Sequence, residues 1–539
     1  MTGVAPRETG RGLLLLYGLA SAILYCALLP LWEGFDELYH YGYVQTLAHS
    51  ATLPEIGKSR LSMELWTSLD FAPASHWIQP YFERPSTSFR EYFHLSADER
   101  RERRRALDGM DQTLRYQPSR RDNYEAKQSP LTYLLMAPIE WMMAARPLTQ
   151  RVLALRLALS IATITLLWLG FGGLAARLGL KEPAQSAALF VLFSVQMVYA
   201  ATCHIANDAL LAPWLLFFLI ALIDLCESPT ARRAAIAGLL AAAGTLIKSS
   251  AVAFLPLLLA TLLIAIRRRR NIQDALTMCA ISFGALLAVA GPWFARNLIL
   301  YHNLTAAPET AGIGPAALLG ALPRLPWRGT IALTLHSALW TGNSSMTTFS
   351  AFTINLALIL FAVCALLWMR HIHKSRNEIL VAMSIGFYGV ALLLITFAYF
   401  ISSSGGVIAP MAWYMEILLP PIIAGSFLAL SRHGRAGQWM AVVVVVLWGY
   451  VAAVTWLGKL LPLYGGFEEQ QVHAGKLWNW YWEQSSQRTS ILSTLCPGPV
   501  WLIYLLLAIV LASMGLLIMR LIRMLLAQPE STNSATGKA

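Results

Sequence analysis

Apolar runs long enough to cross a bilayer recur along the whole chain, and they constrain its fold more than any single motif. A run of ~20 residues spans the ~30 Å hydrocarbon core as a helix. Such runs lie near 12–31, 150–176, 184–204, 208–226, 233–247, 249–266, 274–296, 350–369, 378–401, 410–430, 438–458 and 499–519. The sequence therefore predicts an all-α polytopic membrane protein with about twelve transmembrane helices. At 57% hydrophobic and 13% charged residues, the chain is neither an ordinary soluble globule nor a disordered polymer. Its net charge of +12 invites a nucleic-acid reading. The basic excess instead lies in short loops between runs, where it sets membrane orientation. The six cysteines are scattered with no CxxC pair, which indicates neither a disulfide framework nor a thiolate metal site. The first run follows Arg7 and Arg11, is long for a signal-peptide core and lacks a small-residue cleavage site, so it reads as a retained span.

One further segment, "SPLTYLLMAPIEWMMAA" from Ser129, decides the topology. Ser129 followed by Pro130 is a good helix start, with a capping hydroxyl and a proline whose missing N–H costs nothing in the first turn. A helix over 130–145 is only ~24 Å long and carries Pro138 and Glu140, so it is expected to lie at the interface. With twelve spans and a cytoplasmic N-terminus, the inside loops hold Arg177, Lys181, Arg232, Arg233, Arg267 to Arg270, Arg370, Lys374, Arg376, Arg432, Arg435, Arg520 and Arg523. A thirteenth span would put all these loops outside, so basic-loop bias favours twelve. The expected segments are a first span to 32, an outer loop 33–149 and core helices 150–300. A second outer segment 301–349 and C-terminal helices 350–526 with an outer loop 459–498 follow. The polar tail 527–539 is expected to be disordered.

This register places two acidic sites on the extracytoplasmic side. In "LWEGFDELYHYGYVQTLAHSATLPE" from Leu31, Asp36, Glu37 and His40 sit where the first span meets water. A helix over 36–48 puts Leu38, Tyr41, Val44 and Ala48 on a face toward lipid or the first span. Asp36, His40 and Tyr43 then face a cleft. A carboxylate there can act as general base toward a hydroxyl, and two neighbouring carboxylates raise the pKa of one. Spacing alone is equally met by acidic residues that stop a span and face water. Asn207 and Asp208, in "HIANDALL", open the fourth span on the same side, where a helix-capping role and a catalytic or metal-binding role are compatible.

The cations Arg156, Lys248 and Arg296 lie near outer span ends, where they either snorkel or meet an anion such as a lipid phosphate. "KLWNWYWEQ" from Lys476 reads as interfacial anchoring, with stacking on a sugar ring as the sharper alternative. "DERRERRR" from Asp98 reads as a solvated helix face.

Together these pieces resemble the GT-C superfamily of membrane glycosyltransferases, nearest to the dolichyl-phosphate-mannose protein mannosyltransferase and aminoarabinose transferase group. Four elements carry the likeness: "FDELYHYGYVQTLAHSATLPE", "EAKQSPLTYLLMAP" from Glu125, "NDALL" from Asn207 and "GPWFARNLILYHN" from Gly291. "QSPL" stands where that group usually has a double proline. The resemblance implies a polyprenyl-phosphate-linked sugar donor and a glycan, lipid or protein acceptor bearing a hydroxyl. It also implies an inverting reaction on the extracytoplasmic face of a bacterial inner membrane, with no nucleic-acid partner. Asp36 would be the general base or the carboxylate that positions the acceptor, Glu37 would assist it, and Asp208 would be the second acidic residue, positioning the acceptor or coordinating a metal, with His40, Tyr43, Asn207, Lys248, Arg296 and Arg156 around the substrate; which of Asp36 and Glu37 is the base stays open. If a divalent ion (Mg or Mn) takes part, Asp36 and Asp208 are its expected ligands. The alternative class is a lipid-linked saccharide flippase or a polysaccharide polymerase or ligase.

Overall fold

The computed structural model describes residues 6–75, 78–79, 86–269, 272–306, 313–403, 412–468 and 473–527. The polar tail lies outside them. Each of the twelve apolar runs is helical over most of its described residues, but they are not twelve full-length spans. Eight helices are long and apolar enough to cross a membrane: Gly10–Leu28, Leu148–Leu178, Asn207–Glu227, Leu276–Tyr301, Ala351–Met369, Arg376–Ser402, Gly434–Tyr464 and Val500–Leu526. A ninth exists if Ala184–Ser194 and Gln196–Thr202, bent by 58°, count as one. Val195 causes the bend, because its extended backbone (φ −78°, ψ 115°) interrupts the helix. The other three runs form shorter apolar helices, Ala231–Ile247, Ser249–Ala265 and Glu416–Ser431. At ~1.5 Å per residue these reach ~25 Å, short of a ~30 Å hydrocarbon core.

Hydrogen-bonded side chains gather at the two ends of the bundle. At one end Arg177 clamps Asp224 through Nε (2.6 Å) and Nη2 (2.7 Å), and Arg233 donates to the Asp224 carbonyl (2.7 Å). Asn377 donates to the Arg177 carbonyl (3.0 Å), and Arg432 clamps Glu378 at 2.7 and 3.0 Å. At the other end lie Glu33, Glu37, Asp208, Lys248 and Tyr464. The short helices run between these ends: Ala231–Ile247 carries Arg233 at its start and leads into Lys248, and Glu416–Ser431 ends beside Arg432.

The outer loop is an ordered layer. Strands Arg60–Ser62 and Pro118–Asp122 pair antiparallel, with Arg60 opposite Asp122. The helix expected over 130–145 spans Leu131–Met142, and Pro130 is its N-cap. Ser129 does not cap it; its hydroxyl is buried without a partner among the described residues. Leu134, Leu135, Trp141 and Met142 are exposed while Thr132, Tyr133, Met136 and Glu140 are buried, the two-faced pattern of a helix lying on an interface.

The expected mouth helix forms at Glu37–Ser50, but it is not amphipathic at a lipid surface. Ten of its residues, including Tyr41, Tyr43 and Val44, are buried. Its apolar side packs with Tyr133, Met136, Leu148 and Val152, and with Leu31 and Trp32 at the end of the first apolar run. A buried polar network fastens it there. Tyr41 donates to Glu140 (2.8 Å), Gln45 donates to Glu64 (2.7 Å), and Arg151 pairs with both Glu64 and Glu140.

The arginine run also departs from expectation. It forms the helix Ala97–Asp108, capped by Ser96 and Glu99. Arg101 is solvated, but Arg100 is buried and donates to the Leu95 carbonyl (2.5 Å), and Arg104 donates to the Cys496 carbonyl (3.0 Å). These arginines staple the outer layer to the turn before the last span.

Candidate active site

Asp36 caps the mouth helix in a left-handed conformation (φ 54°, ψ 16°) without using its side chain as a cap. That backbone costs a non-glycine residue on the order of 1 kcal/mol. It turns the carboxylate out of the helix toward Tyr124, whose hydroxyl donates to Oδ1. The Asp36 side chain is exposed, although protein crowds around it. Burial, with the negative charge of Glu125 next, raises its carboxyl above the usual range.

Glu37 occupies a different place from the one expected. It is fully buried and held by Arg156 through Nε (2.7 Å) and Nη2 (2.5 Å), and it accepts from the Ile205 N–H (3.0 Å). Arg156 Nη1 donates to the Leu29 carbonyl (2.5 Å), and Nη2 also donates to the Pro30 carbonyl (2.9 Å). Burial alone would raise the Glu37 carboxyl, but the charge and hydrogen bonds of Arg156 hold it below the usual range. Neither residue has a group left for a substrate. Together they lock the end of the first span, the start of the mouth helix and the segment before Asn207.

That lock brings the second acidic segment to the first. Asn207 donates to Gln128 Oε1 (2.9 Å) and to the Ile247 carbonyl (3.2 Å), and Gln128 donates to Glu125 (2.5 Å). Asp208 pairs with Lys248, whose ammonium lies 4.8 Å from the centre of the Tyr414 ring. The charges of both Asp36 and Asp208 reach His40, Tyr133 and Tyr414. His40 shares a 2.7 Å hydrogen bond with Tyr133. Burial pushes its pKa down to about 4, so its ring is neutral at pH 7.

Tyr43 stacks on Tyr133 at 4.1 Å and donates to the Gln128 carbonyl (3.2 Å). Beyond it lies Arg296, whose Nη2 donates to the Pro54 carbonyl (2.7 Å). Arg296 Nη1 is buried and has no hydrogen-bond partner among the described residues. Hydrogen bonds, ring contacts and charge thus link Asp36, His40, Asn207, Asp208 and Lys248 through Gln128, Tyr133 and Tyr414, with Tyr43 and Arg296 beside them, while Glu37 and Arg156 bind each other.

Sequence reasoning missed Tyr124, Glu125, His204, Tyr414 and Glu416. Glu125 is buried, and that burial raises its carboxyl. His204 packs edge-on against Phe35 at 5.9 Å; its Nδ1 is buried without a partner, and burial lowers its pKa to about 4. Gly34 accommodates it, because a Cβ there would stand 2.5 Å from His204 Cβ. Glu416 is buried and feels the charges of Asp208 and Lys248. A signal existed for three of these, since Tyr124 directly precedes and Glu125 opens the quoted "EAKQSPLTYLLMAP", and His204 lies within "HIANDALL".

Among the described residues no three His, Cys, Asp or Glu side chains are placed to hold a metal ion, and Lys248 already meets the Asp208 carboxylate. These residues do not fit a metal centre on Asp36 and Asp208. An apolar groove, ≈ 1070 Å³ with its open solvent space included, runs among the membrane helices, lined by residues such as Val191, Leu339, Phe361 and Trp448 and reaching Met415, between Tyr414 and Glu416.

No family model matches the chain, and no curated protein matches it in sequence. Three solved structures of the GT-C type are similar to it over most of its length. ArnT from Cupriavidus metallidurans bound to undecaprenyl phosphate aligns at 13% identity and a TM-score of 0.43, covering 86% of this chain and 73% of that one. The archaeal oligosaccharyltransferase AglB from Archaeoglobus fulgidus, in complex with an inhibitory peptide and a dolichol-phosphate, aligns at 13% identity and 0.37, covering 94% and 56%. Arabinosyltransferase EmbB from Mycobacterium smegmatis aligns at 15% identity and 0.41, covering 96% and 42%. The chain spans about half the length of the latter two. At these TM-scores and identities the likeness concerns the layout of helices and says nothing about substrate.

Proposed function

We propose that the protein is an inverting glycosyltransferase. It moves a sugar from a polyprenyl-phosphate donor to a hydroxyl of a cell-envelope acceptor, on the extracytoplasmic face of a bacterial inner membrane. One observation carries this reading. Asp36 and Asp208, from segments far apart in the chain, both act electrostatically on His40, Tyr133 and Tyr414, Lys248 pairs with Asp208 over the Tyr414 ring, and an apolar groove reaches Met415 next to Tyr414. A prenyl chain in the groove would place its phosphate near Lys248 and Tyr414.

Asp36 takes the proton of the acceptor hydroxyl, and the hydroxyl oxygen forms the new bond to the anomeric carbon. The bond from that carbon to the phosphate oxygen breaks, and its electron pair leaves with the phosphate. A polyprenyl phosphate is a stable anion, so cations serve its departure better than a general acid does. Lys248 and the unpaired Arg296 Nη1 are the groups available. Attack opposite the leaving group inverts the sugar. Asn207, Tyr43 and His40 shape the site, while Glu37 and Arg156 act as positioning residues. The lipid phosphates named with ArnT and AglB are of the class proposed here.

We also propose that all twelve helical runs cross the membrane. The three short ones connect the two end layers, which supports crossing with local thinning of the bilayer.

The test is transfer by the purified chain from a polyprenyl-phosphate sugar, with product stereochemistry read by NMR. Asp36→Asn is expected to lower the rate by about 10²–10⁴-fold, the usual worth of a general base, at an unchanged thermal midpoint. Full activity in that variant removes Asp36 from the chemistry.

A further inference from the structure

A second cavity, which shares no residue with the candidate site, opens on the side of the bundle at the same end. It encloses ≈ 1740 Å³ including its open mouth, between the start of helix Ala351–Met369, the end of span Gly434–Tyr464 and helix Ala474–Glu483. Leu457, Leu477 and Phe349 give it apolar walls, and Tyr481 and Trp482 give it aromatic ones. Trp478 and Trp482 are 64% and 67% exposed on one face of their helix, the position of tryptophans at the water–lipid boundary.

The span changes its winding here. Thr455–Leu460 forms a π-helical turn, a feature that frees backbone groups and recurs at functional sites. The Leu457 carbonyl accepts from the Tyr481 hydroxyl (2.7 Å), which fixes the aromatic wall to the turn. Lys459 belongs to the same turn and lines the cavity. It has neither an ion pair nor a hydrogen bond among the described residues. The other cation, Arg488, is already engaged with Tyr504 (3.0 Å) and the carbonyls of Trp480 (3.2 Å) and Tyr481 (3.0 Å). A lone half-buried ammonium near a span end is costly unless an anion meets it.

We propose that this cavity holds an anionic phospholipid of the surrounding bilayer, its phosphate on Lys459 and its upper methylenes between Leu457, Leu477 and the tryptophans. A single unpaired cation above apolar walls matches one phosphate bearing hydrocarbon chains. It does not match a sugar, which needs several polar partners. The site is separate from the proposed donor groove and does not depend on the glycosyltransferase reading.

The full chain, purified in detergent, is exposed to equal amounts of phosphatidylglycerol and phosphatidylcholine of matched chains, and retained lipid is counted by native mass spectrometry. The wild type is expected to retain phosphatidylglycerol about five-fold over phosphatidylcholine, the worth of one surface lysine. Lys459→Gln is expected to abolish the preference and Lys459→Arg to keep it, both at an unchanged thermal midpoint. Trp478→Ala with Trp482→Ala lowers retention of both lipids and leaves their ratio alone. A wild type without preference, a preference that survives Lys459→Gln, or one lost in Lys459→Arg overturns the proposal.

Discussion

Asp36 and Glu37 are neighbours in sequence with opposite fates. Asp36 stays exposed, whereas Glu37 is saturated by Arg156. Breaking a buried pair leaves an uncompensated charge, at about 3–5 kcal/mol. Glu37→Gln and Arg156→Met are therefore expected to lose folded protein, read by size-exclusion yield, whereas Asp36→Asn loses only activity. A stable, inactive Glu37→Gln would return Glu37 to the catalytic group. Glu33 sets a pH dependence of its own. Its Oε2 is buried without a partner among the described residues, and burial pushes its carboxyl up to about 8. A carboxyl raised on folding binds its proton more tightly in the native state, so its contribution is full below the unfolded value near 4.5 and is lost as pH climbs toward 8. His40 and His204, lowered to about 4, act in the other direction: their contribution is full above about 6.5 and falls away as pH drops toward 4. Thermal melts from pH 5 to 8.5 check this: Glu33→Gln is expected to flatten the alkaline decline and leave the acid side unchanged. The sequence marks these residues as ionisable. It does not say which carboxylate meets an arginine, because the partners lie more than a hundred positions away.

The elements were legible where one face tells the story. The helix Leu131–Met142 was readable from "SPLTYLLMAPIEWMMAA", and its exposed Leu135 and Trp141 support the proposal that it lies at the interface. Spin labels at 135 and 141 are expected at headgroup depth by relaxation with a lipid-soluble quencher. Labels at the bilayer centre would make the segment a span and invert every loop after it. The mouth helix misled because a 3.6-residue pattern marks faces without saying what covers them. Both faces of Glu37–Ser50 are covered by protein, and its tyrosines and Gln45 satisfy the polar network. Close approach of elements is equally invisible until partners are known. A Cβ on Gly34 would meet His204 Cβ at 2.5 Å, and one on Gly238 would meet the Ser282 carbonyl oxygen at 2.1 Å. Overpacking of this kind costs about 1–3 kcal/mol. Gly34→Ala and Gly238→Ala are both expected to lower the thermal midpoint, and only the former to reduce transfer disproportionately, since it displaces the wall of the candidate site.

At the scale of the whole molecule, basic residues from distant loops, among them Arg177, Arg233 and Arg432, meet at one end of the bundle, and the candidate site occupies the other. The proposed topology predicts that Ser228→Cys is labelled by an impermeant maleimide only from the cytoplasmic side, and Arg101→Cys only from outside. Labelling from one common side would overturn it. The sequence by itself determined that the chain is a helical membrane protein, which loops carry its charge and where acidic residues interrupt the apolar pattern. Those are local properties of composition and period, and a bilayer enforces them on any chain. Tertiary structure decided the rest: that three runs are short and one is broken at Val195, that Glu37 and Arg156 bind each other, and that Asp36 and Asp208 both act on His40 and Tyr414. Each depends on which surfaces exclude water together, and that follows from how distant helices pack.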